Sequence, residues 1–530
     1  MKIYIGICII GLFLAISACY EDKGNYSYSD INELTLKMNP AGGGVSGETY
    51  ILAQSQLDSL FFDITPEVSQ SVRHEDNNLT YQWIRAWSFG NKNYKDTIRT
   101  KTCTFKFPPK ALMTYTVLFI VKDESNGLEV YKNVTVKTIV PYIRSWLIMH
   151  GQEGDRSIAA LEYDTTRIKL TKKDLDIHQT LRGYKRFQKA FAMKYATDKL
   201  FIFQPDSCTW VFPFGMDQKG STRTMMPGGW NAQVVDCISS INSRFGIISD
   251  AGKYYHNGAF GYFYEAEADL DAVGYHADKA YISNEDGYTT LWDDVHKKLL
   301  YYGSNWYNQM TDARQDLSEF DARIVNITPQ ELNDFDLSSC QLLWMGRGLT
   351  DLSKIGASAL FKKLSTEEYY IVNVGLGGKG KSAFSVPFLK GKDEPSGFVT
   401  TDNMKLEGVD FDIHSSFAST GAFGNQLFYS KGTDVYIYNI ITGESDFLYS
   451  VGTGKNITRL SFREDDPDNG NDKGNDRILG IVVQTADGQG EFHEIVLTTS
   501  GDVTYSASYG GFGPIVDVCY SYIPHNAYDL

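Results

Sequence analysis

The chain is poor in the residues that support most metal, disulfide and nucleic-acid chemistry. Its nine histidines fall without paired spacing, and neither the helical metalloprotease motif nor the glycine-flanked serine turn of hydrolases occurs. Those catalytic frameworks are therefore excluded. Of seven cysteines, Cys8 falls in the N-terminal leader and Cys19 directly after it. The other five, Cys103, Cys208, Cys237, Cys340 and Cys519, form an odd set with no short spacing, which is neither a disulfide framework nor a zinc site. Their apolar surroundings predict buried free thiols. Basic charge is also short, with 50 Lys and Arg against 65 Asp and Glu and a net charge of −15, which excludes nucleic acid as a partner because phosphate binding needs a concentrated basic surface. Proline is scarce at 14 residues, whereas glycine reaches 48 and aromatics 14%, the composition of many short strands joined by glycine turns.

Long apolar runs are missing too, except at the start. Lys2 supplies a basic head, residues 3–16 an apolar run, and Ser17 and Ala18 the small residues before Cys19. This pattern predicts a signal peptide over residues 1–18 and a lipobox over residues 16–19, with Cys19 carrying the lipid. The alternative, an uncleaved spanning anchor, needs about 20 apolar residues, and this run stops short at a polar segment. No later stretch is long enough to span, so the membrane would be reached through the lipid anchor alone, each buried methylene contributing roughly 0.8 kcal/mol. Glu21 and Asp22, just after the cysteine, resemble the export signal of Bacteroidetes lipoproteins, although Tyr20 departs from it. The resemblance implies the outer membrane, facing the cell exterior.

With 530 residues, the chain exceeds the roughly 150 of a typical domain and has room for a large domain and a smaller one. Residues 19–30 read as a lipidated tether. Residues 31–140 read as a β-sandwich: Leu34, Leu36 and Met38 alternate with polar residues, as do Leu79, Tyr81 and Trp83, while residues 60–64, 102–107, 114–121 and 128–139 give further strands. The segments YQW (81–83) and YTVLFIVKDESNGLEVYKNVTV (115–136) resemble the PKD-like lipoproteins of Bacteroidetes. In that family an immunoglobulin-like first module gives way to a larger region near SWLIMHGQEGDRSIAALEYD (145–164).

Residues 145–525 form a series of strand hairpins. The clearest, 425–449, holds three antiparallel strands around glycine turns, and similar units recur at 199–214, 244–255, 279–302, 369–374 and 478–505. Units of this kind predict an all-β fold, a sandwich followed by a β-propeller of about seven blades. Stacked β-sandwiches are the alternative. Residues 312–337, with a start signal at Thr328, could include a short helix inserted between blades.

Several motifs bear on chemistry. Residues 375–382 match the P-loop expression, but the continuation alternates like a strand and contains Pro387, so the required helix is missing and a hairpin loop is the better reading. Residues 464–476 concentrate oxygen ligands, and Asp466, Asp468 and Asp472 around Gly470 have the density of a structural calcium site. A solvated loop is the simpler alternative. The carboxylate pairs Asp293 with Asp294 and Asp410 with Asp412 have no spacing specific to catalysis. Trp230, Trp306 and Tyr307 stand beside glycines and amides and could stack on sugar rings or hold peptide side chains, core packing being the competing reading.

These features favour a non-catalytic accessory that captures an oligosaccharide or peptide. The family resemblance implies partnership with a TonB-dependent transporter and its SusD-like lipoprotein. The alternatives are a propeller enzyme, such as a glycosidase or polysaccharide lyase, and an adhesion or scaffold protein.

Overall fold

The structure is a computed structural model. It describes residues 31–521 apart from 41–43, 47–48, 54–59, 74, 90–91, 108–113, 140–141, 143, 164–168, 197–198, 213–214, 227–228, 240–244, 258–262, 284–288, 303–322, 330–335, 351–355, 377–381, 386–397 and 464–474. Two compact units are present, one ending at Ile139 and the other running from Val140 to Leu530 with residues 54–58 added.

The first unit is a sandwich. One sheet pairs Leu34–Pro40 with Leu60–Gln70 and Cys103–Phe107. The other orders Gly44–Ser46, Thr49–Ala53, Glu129–Ile139, Thr114–Asp123, Leu79–Phe89 and Lys92–Ile98. Strand Thr114–Asp123 buries alternate residues, because side chains on a strand point to opposite faces and only one face meets the core. Trp83, Phe119, Phe105 and Val117 fill that core, and the Trp83 indole donates to Thr100 O at 3.0 Å.

In the second unit the described residues form seven sheets, each a blade. Blade 2 (Ala192–Ala196, Lys199–Gln204, Ser207–Phe212, Asp217–Ser221) is a four-stranded antiparallel meander. Blade 3 (Val234–Ser239 to Phe263–Glu265), blade 4 (Lys279–Ile282 to Ile324–Asn326), blade 6 (Phe417–Ala418 to Ser445–Ser450) and blade 7 (Lys455–Phe462 to Val503–Phe512) repeat the pattern. Blade 5, Cys340–Arg347 to Phe398–Leu406, adds an edge strand, Ser382–Ser385. Blade 1 is composite. Its strands Ser145–His150, Ser157–Tyr163 and Leu170–Asp174 come from the start of the unit, while its innermost strand, Ile515–Ser521, comes from the end.

That composite blade closes the ring. Ile515–Ser521 packs against the first strand of blade 2, which packs against that of blade 3, and so on to blade 5. The apolar clusters lie between consecutive blades: Phe201 stacks on Phe245 between blades 2 and 3 at 3.8 Å, Trp292 meets Phe361 between blades 4 and 5, and Phe428 meets Phe462 between blades 6 and 7. A single blade cannot bury both faces of its sheet, so each is stabilised by its neighbours. These rings carry much of the burial, at about 25 cal/mol per Å² of apolar surface.

The seven-blade propeller follows the sequence expectation, and the six hairpin units read from the sequence fall in blades 2–7. The helix expected within 312–337 is not found among the described residues of that stretch: Ile324–Asn326 is the outer strand of blade 4 and Leu337–Ser339 a single 3-10 turn. The remainder of that segment lies outside the described residues.

Candidate functional site

The first strands of the blades surround a central channel, and their backbone shares one irregularity. In blades 3, 5 and 7 the pairing of first and second strand skips a residue, at Val235, Leu343 and Thr458. In blade 1 the same skip falls at Val516. A bulge of this kind bends the strand and re-aims the residues around it. The residues just beyond the skips are therefore equivalent around the ring: Asp236, Trp344, Arg459 and Asp517.

Within the channel lies a cavity of about 710 Å³, lined by Lys279 of blade 4, Leu343 and Trp344 of blade 5, Ser416 ahead of blade 6, Arg459 of blade 7 and Val516 of blade 1, among others. Ligand sites commonly measure about 300–1,000 Å³ and combine apolar surface with a few placed polar groups. Two ion pairs edge the cavity. Arg459 Nη1 stands 2.6 Å from Asp517 Oδ1, whose side chain is fully buried; the same carboxylate accepts from the backbone of Met193 at 2.7 Å and of Val518 at 2.8 Å. Lys279 Nζ lies 3.3 Å from Asp236 Oδ2, and Asp236 also accepts from Cys237 N at 2.9 Å. Burial pushes the Cys237 thiol well up from its ordinary range, so it stands in the apolar cluster between blades 2 and 3 as an inert group.

The residues singled out in the sequence fall elsewhere. Trp230 is nine-tenths buried in the cluster between blades 2 and 3, edge-on to Tyr255 at 5.2 Å, and its Nε1 finds no acceptor among the described residues. Trp306 and Tyr307 lie outside the described residues, as do Cys19, Glu21 and Asp22 and the calcium candidates Asp466, Asp468 and Asp472. Among the described residues no group of three or more His, Cys, Asp or Glu is placed to hold a metal. The P-loop-like segment leaves strand Tyr369–Leu376 and re-enters as strand Ser382–Ser385, with its middle outside the described residues. The carboxylate pairs shape turns. Buried Asp293 accepts from the backbone of His276 and His296, each at 2.8 Å. Asp294 takes Trp292 Nε1 and Lys297, and the lysine holds its carboxyl below the usual range. Asp410 pairs with Lys431, and Asp412 caps a turn through His414 N. The five cysteines are buried thiols.

Sequence reasoning missed Lys279, Trp344, Arg459 and Asp517. The signal that could have found them is positional: a charged or aromatic residue at the equivalent place in the first strand of successive units.

Sandwich and ring together define a two-part all-β protein whose propeller encloses a charged channel. The PKD-like family's profile matches residues 19–189. Among solved structures, a quinonprotein alcohol dehydrogenase-like protein from Bacteroides thetaiotaomicron is similar at 12% identity and a TM-score of 0.35, over 89% of this chain and 96% of that one. A Lactobacillus plantarum protein is similar at 11% and 0.42, over 71% and 99%. Apo AztD from Citrobacter koseri is similar at 10% and 0.32, over 83% and 98%. Scores this low add nothing to the strand topology, on which the fold assignment rests. No curated protein matches the chain.

Proposed function

We propose that the chain is a lipid-anchored, outward-facing binding protein of the outer membrane. In this reading it captures an oligosaccharide or peptide in its propeller channel for a TonB-dependent transporter and a SusD-like lipoprotein. The observation that carries it is the channel cavity, about 710 Å³, which suits a solute of a few rings and brings together side chains from five blades. Cys19 supplies the anchor, Glu21 and Asp22 the outward address, and the sandwich stands in sequence between lipid and propeller. A fit between family profile and sequence over residues 19–189 supports the comparison with PKD-like lipoproteins. The test is affinity capture of the native protein from detergent-solubilised outer membranes. Co-purification of a TonB-dependent transporter with its SusD-like partner is expected. Their absence overturns the partnership, and turnover of a glycan or peptide panel by the purified chain would establish the enzyme reading in its place.

A further inference from the structure

The first strands of the blades are opposite in charge to the molecule. The first strands of the blades carry five basic residues, Lys194, Lys279, Arg347, Lys455 and Arg459, and two acidic ones, Asp236 and Asp517, in a chain whose net charge is −15. We propose that the channel binds an organic anion, specifically a carboxylate-bearing saccharide, through Lys279 and Arg459, with Trp344 receiving a ring face. This rests on the reading of the channel as a binding site and names the chemistry of its ligand.

The ion pairs present their cations and conceal their acids. Arg459 is 37% exposed while Asp517 is 0% exposed, and Lys279 is 59% exposed against 21% for Asp236. Asp517 is occupied by Arg459 and two backbone amides, so its charge is directed into the wall. A solute entering the cavity therefore meets the ammonium and guanidinium heads first.

The two cations come from blades 4 and 7 of the seven-membered ring. Their fields add along the axis, and the low-dielectric walls focus them. Carboxylate groups answer this arrangement through charge-assisted hydrogen bonds. Trp344 is half-buried in the cavity lining. A Cβ at position 346 would collide with its indole, so Gly346 is what allows the ring to lie along its own strand. A flat, partly exposed indole beside cations is suited to a sugar ring bearing a carboxylate.

The test uses the full-length protein in detergent, titrated calorimetrically with trigalacturonate and with neutral maltotriose. Wild type is expected to bind trigalacturonate in preference, and Lys279→Gln with Arg459→Gln to weaken it at least about tenfold at an unchanged melting temperature, as loss of charged hydrogen bonds implies. Affinity should also fall as salt rises from about 50 to about 300 mM, because exposed charges are screened. If the double variant melts early, Lys279→Gln alone serves, since its partner Asp236 keeps the Cys237 amide and some exposure to water. Equal binding of maltotriose, or unchanged affinity in the folded variant, overturns the anion assignment and leaves the capture role standing. No heat with trigalacturonate also overturns it, while the transporter capture experiment decides the broader role independently.

Discussion

Asp123 is a charged residue with no exposed surface inside the sandwich, and such a group persists only when its lone pairs are satisfied. It accepts from Asn32 Nδ2 and Asn78 Nδ2, each at 2.8 Å, and from the backbone and hydroxyl of Ser125. Hydrogen bonds from Ser125, then Asn32 and Asn78, hold its carboxyl well below the usual range. A lowered folded-state value means that its stabilisation is complete above the unfolded value of about 4 and is lost as pH falls below that toward the folded value. Asp123→Asn should therefore lower the urea midpoint at neutral pH, with a smaller further decline between about pH 5 and pH 2 than wild type shows. Circular dichroism across that range measures it, and parallel curves for the two proteins would sink the assignment. The same scale explains which site residues sequence could reveal. Trp230 advertised itself by a glycine neighbour, yet the turn closed by Gly229, at φ 84° with its amide on Met226 O at 3.0 Å, folds the indole onto Tyr255. Lys279 and Arg459, single charges in ordinary strand segments, gave no local sign.

Strands, by contrast, wrote themselves plainly into the sequence. Alternation in Thr114–Asp123 and the hairpins at 425–449 were legible because burial on one face and turn geometry are local properties. The bulges at Val235, Leu343, Thr458 and Val516 were not, because a bulge is defined by the partner strand. Nor was the role of Gly480, in the second strand of blade 7. A Cβ there would lie 2.7 Å from Phe492 Cζ and 2.9 Å from Trp146 Cη2, so the absent side chain makes room for the Trp146 ring, which meets Phe492 edge-on at 5.0 Å. Gly480→Val places bulk where two aromatic rings already stand. Overpacking of this kind costs about 1–3 kcal/mol, read as a lower urea midpoint with an unchanged slope. Wild-type stability in that variant would mean that the seam between blades 7 and 1 is looser than the structure has it.

For the whole molecule the decisive contact is the one that sequence order hides. Six blades are built from consecutive strands, but Ser145–His150 pairs with Ile515–Ser521, Ser145 facing Ser521, and no hairpin signal links segments so far apart. Closing so long a loop is entropically costly, so the seam needs strong interactions of its own. Arg463 and Glu494 of blade 7 form a fully buried ion pair there. Glu494 also accepts from the indole of Trp146, and the guanidinium lies 4.5 Å and 4.4 Å from the rings of Tyr163 and Tyr520, all three partners on blade 1. Removing one member strands the other charge without water, a loss of about 3–5 kcal/mol, whereas replacing both by apolar residues of similar volume is often nearly neutral. Arg463→Met should therefore destabilise the propeller severely, and Arg463→Met combined with Glu494→Leu should recover much of the loss, less what the orphaned Trp146 N–H costs, about 1–3 kcal/mol. Urea unfolding of the wild type, both single variants and the double completes the cycle. If the two single losses simply add in the double variant, the pair is not coupled, and ring closure rests on the strand pairing and aromatic packing of blade 1 alone.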